Sequence, residues 1–179
     1  MRHFFLAALL SCTLATSVQA QATNYGAFEW DIVRLGYAIP GGVDGVTGGL
    51  LLGTEPRYNI NDQISASLRI EIAVYGSDLE GDNVDIGAAG SYTLFGDYYF
   101  DTEKTTRLFG GLGIGLFSGA SVSVGDVTAD AANTIGVVPR VGVELGHFRV
   151  ALEYNLAFDE AVANYIGLAF AGTIGGGPR

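Results

Sequence analysis

Lysine is almost missing from this 179-residue chain: Lys104 stands alone against eight arginines and nineteen carboxylates. A solvated protein surface usually mixes lysine freely with glutamate, so the shortage argues against an ordinary soluble exterior. Cysteine is as scarce. The single Cys12 falls within the first twenty residues, and the chain beyond them can build neither a disulfide framework nor a thiolate metal site. Histidine past that point is limited to His147. No run approaches the ~20 consecutive apolar residues of a membrane-crossing helix, and no later segment carries a helical apolar stripe. Positive charge is also short. The formal net charge is −10, or −11 once Arg2 is set aside, which excludes nucleic acid as the main partner.

What is present begins with a secretory signal over residues 1–20: Arg2 as the basic start, FFLAALL as the apolar core and Val18-Gln19-Ala20 as small-residue cleavage context. Cys12 after LLS leaves lipoprotein processing as the alternative. Residues 21–179 then suffice for one domain. They contain eight segments of period-two patterning: Phe28 to Ile39, Gly48 to Tyr58, Ile64 to Tyr75, Ile86 to Phe100, Arg107 to Phe117, Thr134 to Leu145, Phe148 to Phe158 and Asn164 to Ile174. Most exceed the ~5–6 residues of an ordinary strand and match the ~9–11 that a tilted strand needs to cross a bilayer. Links two, four and six are short, NIND, the stretch around DTEKTT, and GH. Links one, three, five and seven are longer: PGGVDGVTG, GSDLEGDNVD, SGASVSVGDVTADAAN and DEAVA. Short turns on one rim and long loops on the other are the layout of outer-membrane barrels, with the turns periplasmic.

The stretch VGVELGHFRVALEYNL shows how the faces divide. A two-residue turn at Gly146-His147 sets Leu145 opposite Phe148, Glu144 opposite Arg149 and Arg140 opposite Glu153. The four charges share one face and the apolar residues the other. Across the chain the charged face takes Glu55, Arg57, Arg69, Glu71, Asp97, Arg107, Arg140, Glu144, Arg149 and Glu153, interspersed with glycine, alanine and serine. Arginine's planar fork suits confined pairing with carboxylates, and small residues make room for long ones inside a narrow barrel. Tyr25, Trp30, Tyr37, Tyr58, Tyr98, Phe100, Phe117, Phe148, Phe158 and Tyr165 gather near segment ends, where aromatic girdles lie. These features predict an all-β, eight-stranded antiparallel transmembrane up-and-down β-barrel with charges in the lumen, Arg140 pairing Glu153 and Glu144 pairing Arg149 across strands. In the first segment Glu29 and Asp31 fall on one parity and Arg34 on the other, which a bulge near Ile32-Val33 would reconcile. A narrow pore and a soluble periplasmic lipocalin-like binder are the alternatives.

The stretches RLFGGLGIGLF, VVPRVGVELGHFRVALEYNLAF and NYIGLAFAGTIGGG carry a resemblance to small outer-membrane β-barrel proteins of the OmpA/OmpX-like type, in the version common in Bacteroidota. It covers the chain after residue 20, and its motifs report strand architecture rather than chemistry. The resemblance implies insertion by the outer-membrane assembly machinery. The end GGGPR departs from a terminal aromatic and moves the expected insertion signal to Phe170 or Ile174. No peptidoglycan-binding domain is expected to follow.

Candidate sites are few. GGLGIG, Gly110 to Gly115, is superficially like a phosphate-binding loop but lies in an alternating strand without a βαβ unit, so it reads as lumen clearance. His147 sits in a tight turn without a neighbouring serine, and no enzyme activity, cofactor or metal is expected. Acids crowd the long links: Asp44, Asp78, Glu80, Asp82, Asp85, Asp126, Asp130, Asp159 and Glu160, with no lysine or arginine among them. They read as a solvated repulsive rim, with divalent-cation bridging to lipopolysaccharide as the alternative. The expected partners are outer-membrane lipid, lipopolysaccharide and the assembly machinery, around a monomer whose loop partner the sequence does not name.

Overall fold

A computed structural model of the chain describes residues 25–41, 46–77, 84–100, 106–124, 129–159 and 162–176. The expected signal segment lies outside them, as do Asp44, Asp78, Glu80, Asp82, Asp126 and Glu160. Strands β1 (Phe28–Gly41), β2 (Val46–Asn59), β3 (Ile64–Ser77), β4 (Val84–Tyr99), β5 (Thr106–Val124), β6 (Ala129–Leu145), β7 (Phe148–Ala157) and β8 (Asn164–Gly175) follow one another around a closed antiparallel barrel. β8 pairs back onto β1, from Glu29↔Gly175 to Gly41↔Asn164, so the sheet has no free edge over that span.

Alternation makes the barrel two-faced. In β8, Tyr165, Gly167, Ala169, Ala171 and Thr173 are buried while Ile166, Leu168, Phe170 and Ile174 are exposed between them. The other strands repeat the alternation over their described side chains, with most large apolar side chains outside and the charges inside, the reverse of a soluble barrel with a greasy core. Pro56 and Pro139, which lack a backbone donor, sit at lapses in the β2–β3 and β6–β7 pairing.

The conflict of parity in β1 is resolved by a bulge. Register shifts on both sides of β1, between Asp31 and Arg34 toward β2 and between Asp31 and Val33 toward β8. Ile32 and Val33 are consecutively exposed, at 37% and 47%, so one residue slips outward and Glu29, Asp31 and Arg34 all point in. At the β6–β7 turn, Gly146 takes a φ of 60° at the first central position, a conformation that favours glycine. Leu145↔Phe148, Glu144↔Arg149 and Arg140↔Glu153 are backbone neighbours.

Two sequence expectations about the barrel rims are corrected. SGASVSVGDVTADAAN is not one long loop: Ser118 to Val124 continue β5, and Ala129 to Asn133 belong to β6. With the upper part of β4 they form a sheet rising beyond Gly136↔Ala157, the last described β6–β7 pair. Asp85 therefore lies in β4 opposite Ser123, and Asp130 in β6 opposite Ser121. Ser, Ala and Gly alternate too weakly to announce a strand, but main-chain ladder bonds do not depend on side chains. The second correction concerns aromatics. Tyr25, Phe117 and Tyr165 are not girdle residues but face inward and are buried. Their place in the alternation outweighs their nearness to a strand end.

Candidate functional site in the lumen

Among the described residues, six arginines (Arg34, Arg57, Arg69, Arg107, Arg140, Arg149) and seven carboxylates (Glu29, Asp31, Glu55, Glu71, Asp97, Glu144, Glu153) are buried inside the barrel. All ten charged residues assigned to the lumen face in the sequence are among them. Glu29, Asp31 and Arg34 join through the β1 bulge. Buried charges of this number persist only if each finds partners, and the contacts form three connected tiers.

Nearest the turn rim, Arg57 donates to Glu29 at 2.7 Å and Asp31 at 2.8 Å, and lies 3.4 Å from Glu144. Arg107 pairs with Glu144 and lies 3.5 Å from Glu29. Its guanidinium is stacked 3.8 Å from the Tyr25 ring and 4.2 Å from that of Tyr99. Asn59 donates to Glu29, Thr173 to Asp31, and the Tyr99 hydroxyl to Glu144.

The middle tier centres on Arg140. It donates to both oxygens of Asp97, at 2.8 and 2.6 Å, and both of Glu55, at 2.9 and 2.8 Å, while lying 3.6 Å above the Phe95 ring. Two bidentate pairs on one fork are the strongest geometry available to a guanidinium. Arg149 adds 2.7 Å to Asp97, and Arg34 adds 2.8 Å to Glu55. Gly113 shows why this level needs glycine: a Cβ there would stand 2.6 Å from Phe95 and Thr93. GGLGIG thus clears space for the ring that Arg140 covers.

Toward the loop rim, Glu153 accepts from Arg34 at 2.8 Å and pairs with Arg69. Arg69 donates to Asn155 at 2.6 Å, and the Tyr165 hydroxyl donates to Glu71 at 2.9 Å. Above this the lining turns apolar. Ala38, Leu51, Ala73, Tyr75, Ala89 and Tyr165 form one cluster; Phe95, Phe117, Val138 and Val162 form another. Val162, from the β7–β8 link, enters the barrel mouth itself.

Of the two pairs expected from strand neighbours, Arg140–Glu153 is present as a longer contact, and Glu144–Arg149 gives way to other partners. Arg140 and Glu153 are 3.4 Å apart, farther than Arg140 is from Asp97 or Glu55. Glu144 pairs with Arg107 and Arg57, while Arg149 reaches Asp97 and the Tyr99 hydroxyl. The side chains are long enough to cross the narrow interior, so pairs between adjoining strands, as in Arg57–Glu29 and Arg107–Glu144, are joined by pairs across the barrel, as in Arg140–Glu55. Sequence reasoning also passed over Asn59, Tyr99 and Thr173, although Asn59 shares the parity of Arg57 and Tyr99 that of Asp97.

Outside the lumen, His147 is exposed in the β6–β7 turn, where its carbonyl accepts from the Thr173 amide at 2.8 Å. Among the described residues no group of three or more His, Cys, Asp or Glu is arranged to hold a metal ion. Asp85 and Asp130 belong to strands on the loop rim, and the other acids named for that rim, apart from Asp159, lie outside the described residues.

No protein-family model and no curated protein matches the sequence. Solved structures match by shape. Neisserial surface protein A (NspA) superposes with a TM-score of 0.63 at 14% identity, over 84% of this chain and 98% of that one. OprG, an outer membrane protein of Pseudomonas aeruginosa, gives 0.55 at 14% identity, over 88% and 99%. Ail, the attachment invasion locus protein of Yersinia pestis, solved with the heparin analogue sucrose octasulfate, gives 0.52 at 13% identity, over 86% and 100%. The chain has the fold of the small eight-stranded outer-membrane β-barrels.

Proposed function

We propose that this chain is a non-enzymatic resident of a bacterial outer membrane, sealed by its lumen network, that acts as a structural or surface-interaction protein through its loop rim. The observation that carries the reading is the inversion of polarity: thirteen charges turned inward, and a lipid-compatible exterior of leucine, isoleucine, valine and aromatics around a closed sheet. A soluble lipocalin-like binder needs the opposite arrangement. The three tiers and the two apolar clusters above them stack side chains through the described interior, which supports a plug rather than a ligand cavity.

The loop rim supplies the interaction surface. The β4–β6 sheet stands above the rest of the barrel, and on β6 the strand edge above Gly136 has no described β7 partner. The links flanking this sheet are acidic in sequence. A partner with basic or cation-bridged groups is therefore favoured, unlike the polyanion bound by Ail. A narrow pore is the second reading, and it draws on the Tyr75 hydroxyl, Glu71 Oε2 and Asn155 Nδ2, buried polar atoms that make no hydrogen bond to any described residue.

Fractionation tests the reading. The protein should stay with the outer membrane through carbonate washing and run faster on a gel when unheated, and a tag placed between β5 and β6 should be reached by antibody on intact cells. Recovery in the soluble periplasm would overturn it, and a tag detected only after permeabilisation would remove the surface role. Stepwise conductance in a planar bilayer would favour the pore.

A further inference from the structure

The exterior of the barrel is not uniformly convex. An apolar groove of about 440 Å³ runs along the lipid-facing side of the β6–β7 hairpin. Its floor is the half-buried cross-strand pair Val143 and Val150. Phe100 and Leu108 form one wall, Leu152 and Leu168 the other. The shape follows from side-chain length: two short β-branched residues stand between longer neighbours that remain well exposed.

We propose that this groove is a binding site for one acyl chain of a phospholipid whose headgroup rests on the turn rim at His147. Three features select that occupant. The groove opens on the bilayer-facing surface and its lining is apolar, so an acyl chain fits and a polar ligand does not. It lies toward the turn rim, which on the proposed orientation is the inner leaflet; the inference rests on that reading and so takes phospholipid rather than lipopolysaccharide. The floor pair is two residues from the first pair of the hairpin, a distance of ~7 Å along the strand. That places exposed His147, an imidazole with an N–H to donate, at the depth of a phosphate when the chain below lies in the groove.

Native mass spectrometry of the full-length folded barrel, released from detergent with added palmitoyl-oleoyl phosphatidylglycerol or with lipid A, tests the site. The wild type should retain a single phosphatidylglycerol in preference to lipid A. Val143→Phe, which fills the groove floor, should weaken retention about tenfold, equivalent to excluding roughly two methylenes. His147→Ala should weaken it severalfold. Leu94→Phe, elsewhere on the lipid face, should leave it unchanged. Equal retention by Val143→Phe, Leu94→Phe and wild type would overturn the proposal, as would preference for lipid A. A dimer that disappears in Val143→Phe would assign the groove to a second copy instead. The unheated gel shift, measured on each variant, separates failure of this site from failure of the barrel reading, because a folded barrel that retains no lipid refutes only the site.

Discussion

Replacing Arg140 by methionine removes the hub of the middle tier while keeping much of the side-chain length over Phe95. Four hydrogen bonds of 2.6 to 2.9 Å disappear, leaving Asp97 with Arg149 and Glu55 with Arg34 and Ser67. The lumen balance shifts from six arginines against seven carboxylates to five against seven. Breaking a buried pair by deleting one partner costs about 3–5 kcal/mol, since the stranded charge cannot recover its hydration. A double-mutant cycle then identifies the partner. Arg140→Met with Asp97→Asn should show a coupling of about 1–3 kcal/mol, larger than that of Arg140→Met with Glu153→Gln, whose single contact is 3.4 Å long. For the same reason, exchanging Arg140 and Glu153 should not restore stability, because arginine at 153 would face Arg34 and Arg69. Urea unfolding in phospholipid vesicles, followed by Trp30 fluorescence and unheated gel mobility, measures these values. A neutral Arg140→Met would mean the face is solvated, and stronger coupling to Glu153 than to Asp97 would refute the cross-lumen geometry.

Leu112→Arg, on the lipid face of β5, should cost about 2–4 kcal/mol in a bilayer. Gly96→Ala, where an added Cβ meets nothing within 4 Å, should be nearly silent in the same unfolding assay, and Gly113→Ala should not, because its Cβ would press on Phe95. Trp30, the single tryptophan, is exposed on the lipid face with its indole N–H donated to Thr54 at 2.7 Å, so its emission should be quenched by brominated phospholipids. Replacing residues 120–131 by a short glycine-serine link should leave the unheated gel shift intact, because β5 and β6 keep their pairing from Gly119↔Ala132 downward and each doubling of a loop costs only about 0.6 kcal/mol.

Much of the barrel was legible because a period of two is a strong constraint: once Arg149 and Glu153 face one way, Val150 and Leu152 must face the other. The bulge at Ile32-Val33 was legible for the same reason, since Glu29 and Asp31 could join Arg34 only through an extra residue. Partnership inside the lumen was legible only between adjoining strands, as in Arg140 and Glu153. Arg34 meets Glu153 across 119 positions of sequence, and Arg140 meets Glu55 across 85, distances set by barrel closure rather than by any local pattern. Tyr165 illustrates a second limit. Its nearness to a strand end suggested a girdle, yet its hydroxyl is held by Glu71, a contact that only the closed barrel creates. The height of the β5–β6 hairpin was hidden because Ser118 to Asn133 is nearly without large side chains whose alternation could be read.

The central claim, a sealed barrel with charge inside and lipid outside, is tested most directly by single-cysteine labelling along β5 in vesicles, in a chain with no cysteine past residue 20. Cysteines at Leu108, Leu112, Ile114 and Leu116 should react with a membrane-dissolved maleimide and resist a charged aqueous one. Cysteines at Phe109 and Phe117 should resist both reagents while the unheated gel shift persists. Aqueous labelling of the second set would mean an open lumen, and aqueous labelling of the first set would mean that the apolar face never meets lipid.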